Sequence, residues 1–425
     1  MLFNPSVHKL SNGLAVLLDP MDIATTSMAV SIGIGARNET PAEYGITHFL
    51  EHMLMKGTSR FPSAKQLKDN IHDNGGISNA GTGARDTRFY GRMLAENFHV
   101  LAESISDQLR NSLFDENVLN NERTVILDEL RRSMDMPRSQ FRRHVVDNLF
   151  ADSGLAHDTL GTEENIKNFT CGQMKEYMQK CFSAKNTIIG ISGKIADAGV
   201  LLELLENLYG WIPVIDVAPP VPAKVCPCMA HKLKPEQKNI KLVIGFQDVW
   251  PNMLEFRYQN ICVDIFERSL SRRIYDNVRN KAGLVYGIGM SSVGDEFVTV
   301  NTIETECAPD KIAEVVSIMA KTANEIMSAK PVDITELERA RIMKKFAEAN
   351  FLESADDRND RLIGFYRKFG LVYDIADYWR MIERVSPQDI AEYSRDYFSL
   401  PISVLTMGSD FDTDLKHVWK ENFQS

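Results

Sequence analysis

The chain has 425 residues, of which 44% are hydrophobic, 9% aromatic and 25% charged. That length supplies two or more cores and excludes a disordered tail, a collagenous rod or a small disulfide-stapled scaffold. A net charge of -10, from 48 Lys plus Arg against 58 Asp plus Glu, excludes the basic footprint of a nucleic-acid binder, and no apolar run is long enough to span a membrane.

The opening stretch, MLFNPSVHKLSNGLAVLLDP, has no basic segment followed by a long apolar core and a cleavage site. A cytoplasmic protein is the expectation, unless a presequence was removed beforehand. Asn12-Gly13 marks a turn between two short strand-like runs. Further strand patterns fall at 14–18 and 28–34, followed by a helical pattern over about 42–56. The six cysteines, Cys171, Cys181, Cys226, Cys228, Cys262 and Cys307, form no C-x-x-C pair. They read as reduced thiols and leave any metal site to His and carboxylate residues.

Within the first helix, Ile46, Phe49, Leu50, Met53 and Leu54 share one face. With Ile46 at zero and about 100° per residue, His48 lies near 200°, His52 near 240° and Glu51 near 140°. Two imidazoles one turn apart can reach a single cation, and the order His-x-x-Glu-His adds a carboxylate placed to hold a proton. A solvated polar face that happens to carry two histidines fits this segment about as well.

A second helical pattern, Val118 to Arg131, sharpens the choice. Glu122 and Glu129 fall among Val118, Leu119, Val125 and Ile126 in the centre of its apolar stripe, with Leu127 alone on the polar side. A carboxylate aimed at a core is costly unless paired or bound to metal. A buried salt bridge or a kink would also satisfy it, but a third ligand for the histidine pair is the economical answer. Arg131, Arg132, Arg138, Arg142 and Arg143 then form a solvated basic face, and His144 and His157 have no spaced partners.

Six prolines between Pro213 and Pro235 mark an extended linker. Beyond it the order of patterns recurs: a strand at 240–246, a helix over about 254–281, strands at 284–292 and 297–303 around Gly294-Asp295, then long amphipathic helices. The fold class is therefore α+β, with two duplicated domains, each a mainly antiparallel sheet packed with helices. The domains are expected at 1–212 and 237–425, with the linker at 213–236.

His48-Phe-Leu-Glu-His52 followed by Glu129 resembles the zinc site of the M16 metallopeptidases, in particular the M16B branch of processing peptidases. Gly35-Ala-Arg-Asn-Glu39, Lys56-Gly-Thr58, Asn121-Glu-Arg123 and Gly161-Thr-Glu-Glu-Asn-Ile166 agree with it, and the resemblance spans essentially the whole chain. It implies one Zn²⁺ per chain, held by His48, His52 and Glu129, with Glu51 as general base and Glu122 supporting a ligand. Gly75-Gly-Ile-Ser-Asn-Ala-Gly-Thr82 resembles the family strand that pairs with extended peptide, which implies substrate contacts at Asn79 and Ala80; otherwise it reads as a Gly-rich hairpin edge. Gly81 and Arg85 depart from the aromatic and the Glu that are common there, which puts a preference for basic peptides in doubt. Arg279-Asn-Lys-Ala-Gly-Leu-Val-Tyr286 resembles the family motif whose Arg and Tyr hold substrate, with Gly283 ending the helix and Tyr286 opening the next strand. Taken singly, these two residues read as a surface Arg and a half-buried strand Tyr.

The resemblance implies a zinc endopeptidase that cleaves peptides or unfolded segments in an enclosed chamber. Because both motifs stand in one chain, it further implies a self-sufficient homodimer. A non-catalytic partner subunit on the same fold is the alternative from a different class.

Overall fold

A computed structural model describes residues 3–151, 153–248, 257–295, 297–328 and 330–423. The chain opens with the strands β1 (Ser6–Lys9), β2 (Ala15–Pro20) and β3 (Thr25–Ile32). Helices α1 (Ile46–Leu54) and α2 (Ala64–His72) lead to the hairpin β4 (Gly76–Thr82) and β5 (Thr87–Leu94). Then come α3 (Phe98–Asn111), α4 (Glu116–Asp135), α5 (Pro137–Leu149), α6 (Glu163–Asn168) and α7 (Cys171–Cys181). Strand β6 (Thr187–Gly193) and α8 (Ala198–Tyr209) complete the first half.

The proline-rich stretch carries no helix or strand until β7 (Met229–Leu233). Strand β8 (Ile240–Gln247) is followed by α9 (Arg257–Ile274), which continues as a π-helical segment over Tyr275–Lys281. The expected helix start at 254 lies outside the described residues. Strands β9 (Ile288–Gly294) and β10 (Thr299–Cys307) form the second hairpin. Helices α10 (Ile312–Met327), α11 (Ile334–Asn350), α12 (Ala355–Phe369), α13 (Ile375–Arg384) and α14 (Pro387–Tyr397) precede β11 (Ser403–Gly408) and α15 (Leu415–Phe423).

The duplication is visible in the sheets. The first has the order β1-β2-β6-β3-β5-β4 and the second β7-β11-β8-β10-β9. Matching β2, β6, β3, β5 and β4 with β7, β11, β8, β10 and β9 reproduces the order and every direction: one parallel pair in each sheet, the rest antiparallel. By the same matching, α1 corresponds to α9 and α4 to α11.

The compact units do not coincide with the two halves. One unit comprises Met1–Asp135, His157–Val221 and Ala349–Ile375; the other comprises Met136–Ala156, Pro222–Glu348 and Ala376–Ser425. The halves thus exchange helices: α12 belongs to the first unit and α5 to the second. The strand period of two explains how. In the first sheet Val16, Leu18, Met28, Val30, Ile189 and Ile191 face one core, built with Phe49, Leu101 and Ile126. Leu17, Asp19, Ala29, Ser31 and Gly190 point to the other face, and they are buried too. Helix α12 covers that face: Arg358 binds Asp19, Arg367 donates to Ser31, and Asn359 and Ile363 approach Gly190. In the second unit Ile240, Leu242, Ile244 and Phe246 of β8 face one core. There α5 packs against β11, and Leu149 lies beside Gly245.

Among the described residues, no helix is long and apolar enough to cross a membrane.

Candidate metal centre

Helix α1 is short and almost entirely buried, with contacts to α4, α6, α7 and β4. Its apolar side, Ile46, Phe49, Leu50, Met53 and Leu54, enters the core. Its other side is covered as well: His48 and Glu51 are each only 8% exposed. A solvated histidine face is therefore excluded.

The helix starts without a side-chain cap of its own, because Gly45 stands at its N-cap with φ +96°. Glu39 fills that role from a distance, accepting from the N–H groups of Gly45 (2.8 Å) and Thr47 (2.9 Å). Burial pushes the Glu39 carboxyl up to about 7 against the pull of these donors. Gly45 also lies against Gly161, where an added Cβ would meet Tyr44 O at 2.2 Å. This explains two landmarks to which the sequence alone attaches no role: one holds the start of the helix and the other lets the backbone pass close to it.

Helix α4 supplies the other side. Its buried residues are Leu119, Glu122, Ile126 and Leu130, whereas Val125 is 50% exposed and Leu127 packs against the core. The apolar stripe is thus rotated from the expected one, and Glu122 and Glu129 lie on its flank rather than at its centre. The reason is packing against α1, which occupies that flank.

His48 Nε2 and His52 Nε2 are each 3.9 Å from Glu129 Oε2. One ligand atom from each of the three residues falls within 4.8 Å of the others. Tetrahedral zinc with bonds of about 2.0–2.1 Å separates its ligand atoms by about 3.4 Å, so a small inward movement makes the set fit. His48 Nδ1 is buried without a hydrogen-bond partner among the described residues. The ring must then find its polar partner through Nε2, the nitrogen that faces the cluster. Burial, and then the neighbouring His52, lower the His48 pKa to about 4, leaving the ring neutral as a metal ligand must be. The side chain of Glu129 is 47% exposed, so the cluster is closed toward the core and open on the α4 side.

Two carboxylates serve this cluster differently. Glu122 Oε2 lies 3.1 Å from His52 Nδ1, and its Oε1 is 2.8 Å from Lys56 Nζ. Burial raises the Glu122 pKa, but the bonds from His52 and Lys56 outweigh it and hold the group below the ordinary value. An ionised Glu122 can only accept, so His52 carries its proton on Nδ1 and presents the lone pair of Nε2 to the cluster. Replacing Glu122 with Gln should weaken zinc affinity about 10–100-fold, measured by competition with a chromogenic chelator. Glu51, by contrast, has its pKa raised by burial and by Glu129, against the pull of Thr82 and His52. Thr82 Oγ1 donates to Glu51 Oε2 at 2.9 Å, tying this carboxylate to the end of β4.

A pH effect follows for the metal-free chain. Unfolded His48 takes a proton near pH 6.5, whereas the folded residue resists until about 4. The unfolded state therefore binds more protons across that window, and stability should fall as pH drops from 6.5 toward 4. Urea midpoints in the presence of chelator should show this slope, and His48→Gln should make it shallower.

Strand β4 is the edge of its sheet, paired with β5 alone. Asn79 is exposed, Ala80 half-buried, and a Cβ added at Gly81 would meet nothing within 4 Å. Arg279 and Tyr286 belong to the second unit. Arg279 lies in the π-helical segment, its Nε donating to Tyr286 O at 2.7 Å and its guanidinium 5.7 Å from the Tyr286 ring. Gly283, at φ +66°, ends that segment as expected. Tyr286 differs from expectation: it is 92% exposed and precedes β9, which begins at Ile288.

The chain resembles known proteins along both of its halves. Residues 16–163 match the family described as Insulinase (Peptidase family M16), and residues 168–344 match the family described as Peptidase M16 inactive domain. A protein of Rickettsia bellii described as an uncharacterized zinc protease is 29% identical over 409 residues, covering 95% of this chain and 98% of the relative. The probable mitochondrial-processing peptidase subunit beta of Arabidopsis thaliana is 32% identical over 204 residues, covering 48% of this chain and 38% of the relative. A crystal structure of a protease from Helicobacter pylori shares the fold, with a TM-score of 0.83 at 18% identity, over 96% of this chain and 100% of that one. With both family segments in order, and a zinc-type His/His/Glu cluster on two facing helices, the chain belongs to the M16 family of zinc proteases.

Proposed function

We propose that the protein is a zinc-dependent endopeptidase acting on peptides or unfolded polypeptide segments. The observation that carries this reading is the convergence of His48, His52 and Glu129 beside a buried Glu51 tied to an edge strand. Zinc, when bound, supplies Lewis acidity that polarises a peptide carbonyl and acidifies water. Glu51, its pKa raised by burial, accepts the proton of the attacking water on a carboxylate oxygen and returns it to the leaving amine. The edge of β4 near Asn79 and Ala80 offers backbone groups for pairing with an extended peptide, and the hydroxyl of Thr82 keeps Glu51 turned toward that end. Arg279 and Tyr286 supply a guanidinium and an exposed phenol suited to hold a substrate carbonyl. On this reading the chain works as a cytoplasmic homodimer enclosing its substrate.

The test is incubation of the full chain with a peptide mixture, with and without a zinc chelator, read by mass spectrometry. Internal cleavage that stops with chelator and returns with zinc supports the proposal. A zinc-loaded chain that leaves every peptide intact would favour the non-catalytic subunit instead.

A further inference from the structure

Strand β4 ends at Thr82, bonded to Glu51, and the hairpin tip beyond it is fixed. The Gly83 N–H donates to Asp86 O at 2.9 Å and closes the turn into β5. The N–H groups of Ala36 and Arg37 donate to Gly83 O (3.1 Å) and Ala84 O (3.0 Å). Gly35 permits this approach, since a Cβ there would meet Gly83 O at 2.4 Å. Arg85 stands exposed on this anchored tip.

The open side of the metal cluster carries a second guanidinium. On α4, with Glu122 at zero, Glu129 falls at about −20°, Val125 at about −60° and Arg132 at about −80°. Val125 and Arg132 are both exposed, so they border the side on which Glu129 meets solvent. Helical side chains lean toward the N-terminus, which carries Arg132 back toward the turn that holds Glu129.

Neither guanidinium is neutralised within the protein. Among the described residues neither has a hydrogen bond, an ion pair or a ring partner. The neighbouring acids are engaged elsewhere. Asp86 accepts from Arg88 Nε and Ser31 Oγ, both at 2.7 Å, and Asp128 pairs with Arg131 at 3.0 Å. Asp158, close enough to His48 to act on its charge, accepts from the Leu160 N–H at 2.9 Å. Asp135 closes α4 one turn farther from Glu129 and makes no ion pair with Arg132. At the cluster itself Glu122 is paired with Lys56, and a bound Zn²⁺ offsets Glu51 and Glu129 together. The charge of -10 is spread over the whole chain and is screened beyond about 10 Å at 0.1 M salt, so the nearest charges decide.

We infer that the site prefers acidic peptide segments, with Arg85 and Arg132 as the residues that read their carboxylate side chains. A peptide paired along β4 advances about 3.3 Å per residue, so the two or three residues that follow it past Thr82 come up to the tip that displays Arg85. Gly81 leaves the approach open, since a Cβ there meets nothing within 4 Å. Guanidinium matches carboxylate through paired donors. The inference names the substrate class of the proposed peptidase and rests on that reading.

Two fluorogenic peptides test it, identical except for Glu or Lys at the second and third positions on each side of one apolar core. At low ionic strength kcat/KM should favour the Glu peptide about tenfold or more, each exposed charge pair contributing up to about fivefold. The preference should shrink as sodium chloride is raised. Arg85→Gln/Arg132→Gln should erase it and Arg85→Glu/Arg132→Glu should reverse it, whereas Arg110→Gln, on α3 and 5.6 Å from the Trp211 ring, should keep it. Fluorescence anisotropy with the zinc-loaded Glu51→Gln chain reads the same preference as affinity, without turnover. Tighter binding of the Glu peptide with no cleavage by the wild type would retire the peptidase and leave the acidic preference standing. Equal cleavage and binding of both peptides, or a preference that survives in the Gln double variant, would overturn the inference and leave the peptidase standing. Neither binding nor cleavage of either peptide would overturn both.

Discussion

Glu51→Gln should retain zinc and the wild-type unfolding midpoint while kcat falls about a hundred- to ten-thousandfold, the range expected for removing a general acid–base. The substitution keeps the shape of the side chain, and an amide oxygen can still accept from Thr82 Oγ1, so the end of β4 stays attached to α1. It removes only the capacity to take and return a proton. Glu51 is suited to that task because burial raises its pKa while His52 and Thr82 limit the rise. A carboxylate tuned upward takes a proton from water more readily than an ordinary one, which makes it the better base near neutral pH. Steady-state peptide hydrolysis, with zinc measured on the same samples, separates this outcome from simple metal loss. A drop in kcat accompanied by a matching drop in zinc content would make Glu51 a ligand instead.

Asp19→Ala should be the most destabilising single change outside the metal centre, at about 3–5 kcal/mol in guanidinium unfolding. Asp19 and Arg358 are fully buried, joined by two bonds of 2.5 and 2.6 Å, with the guanidinium 4.8 Å from the Phe3 ring. Removing the carboxylate leaves a buried guanidinium without its counter-charge, and Arg cannot shed its proton to escape. The cost should fall on α12, the helix that covers the second face of the first sheet. Replacing both residues together, Asp19→Leu with Arg358→Met, should recover much of the loss, since apolar groups of similar volume avoid the desolvation penalty. Additive losses in the double variant would show instead that each residue contributes through separate contacts.

Much of the fold is legible in the sequence because it rests on local pattern. Gly13, Gly294 and Gly283 all sit at positive φ where a turn or a helix end is expected, and the strand and helix order repeats across the proline-rich stretch. The exchange of α5 and α12 is not legible. Both are ordinary amphipathic helices, and nothing in their spacing says which sheet they cover. A hint exists in β3 and β6, which are apolar or small on both faces and so need two covers. In the candidate site, His48, Glu51 and His52 can be grouped because helical geometry fixes which residues of α1 share a face, whereas Glu129, on α4, joins them only as the economical third ligand and through the family resemblance. The exposure of Val125 and Tyr286 cannot be read that way, because it depends on what packs alongside. Glu39 stands in the sequence only as a landmark: a carboxylate capping a helix six and eight residues downstream leaves no periodic signal.

The most direct test of the account is a crystal structure of the zinc-loaded chain with anomalous scattering recorded at the zinc edge. One peak per chain is expected at about 2.0–2.2 Å from His48 Nε2, His52 Nε2 and a Glu129 carboxylate oxygen. Glu122 should still be bonded to His52 Nδ1, and Glu51 should lie outside bonding distance of the metal. A peak coordinated by Glu51 in place of Glu129, or no peak between α1 and α4, would contradict it.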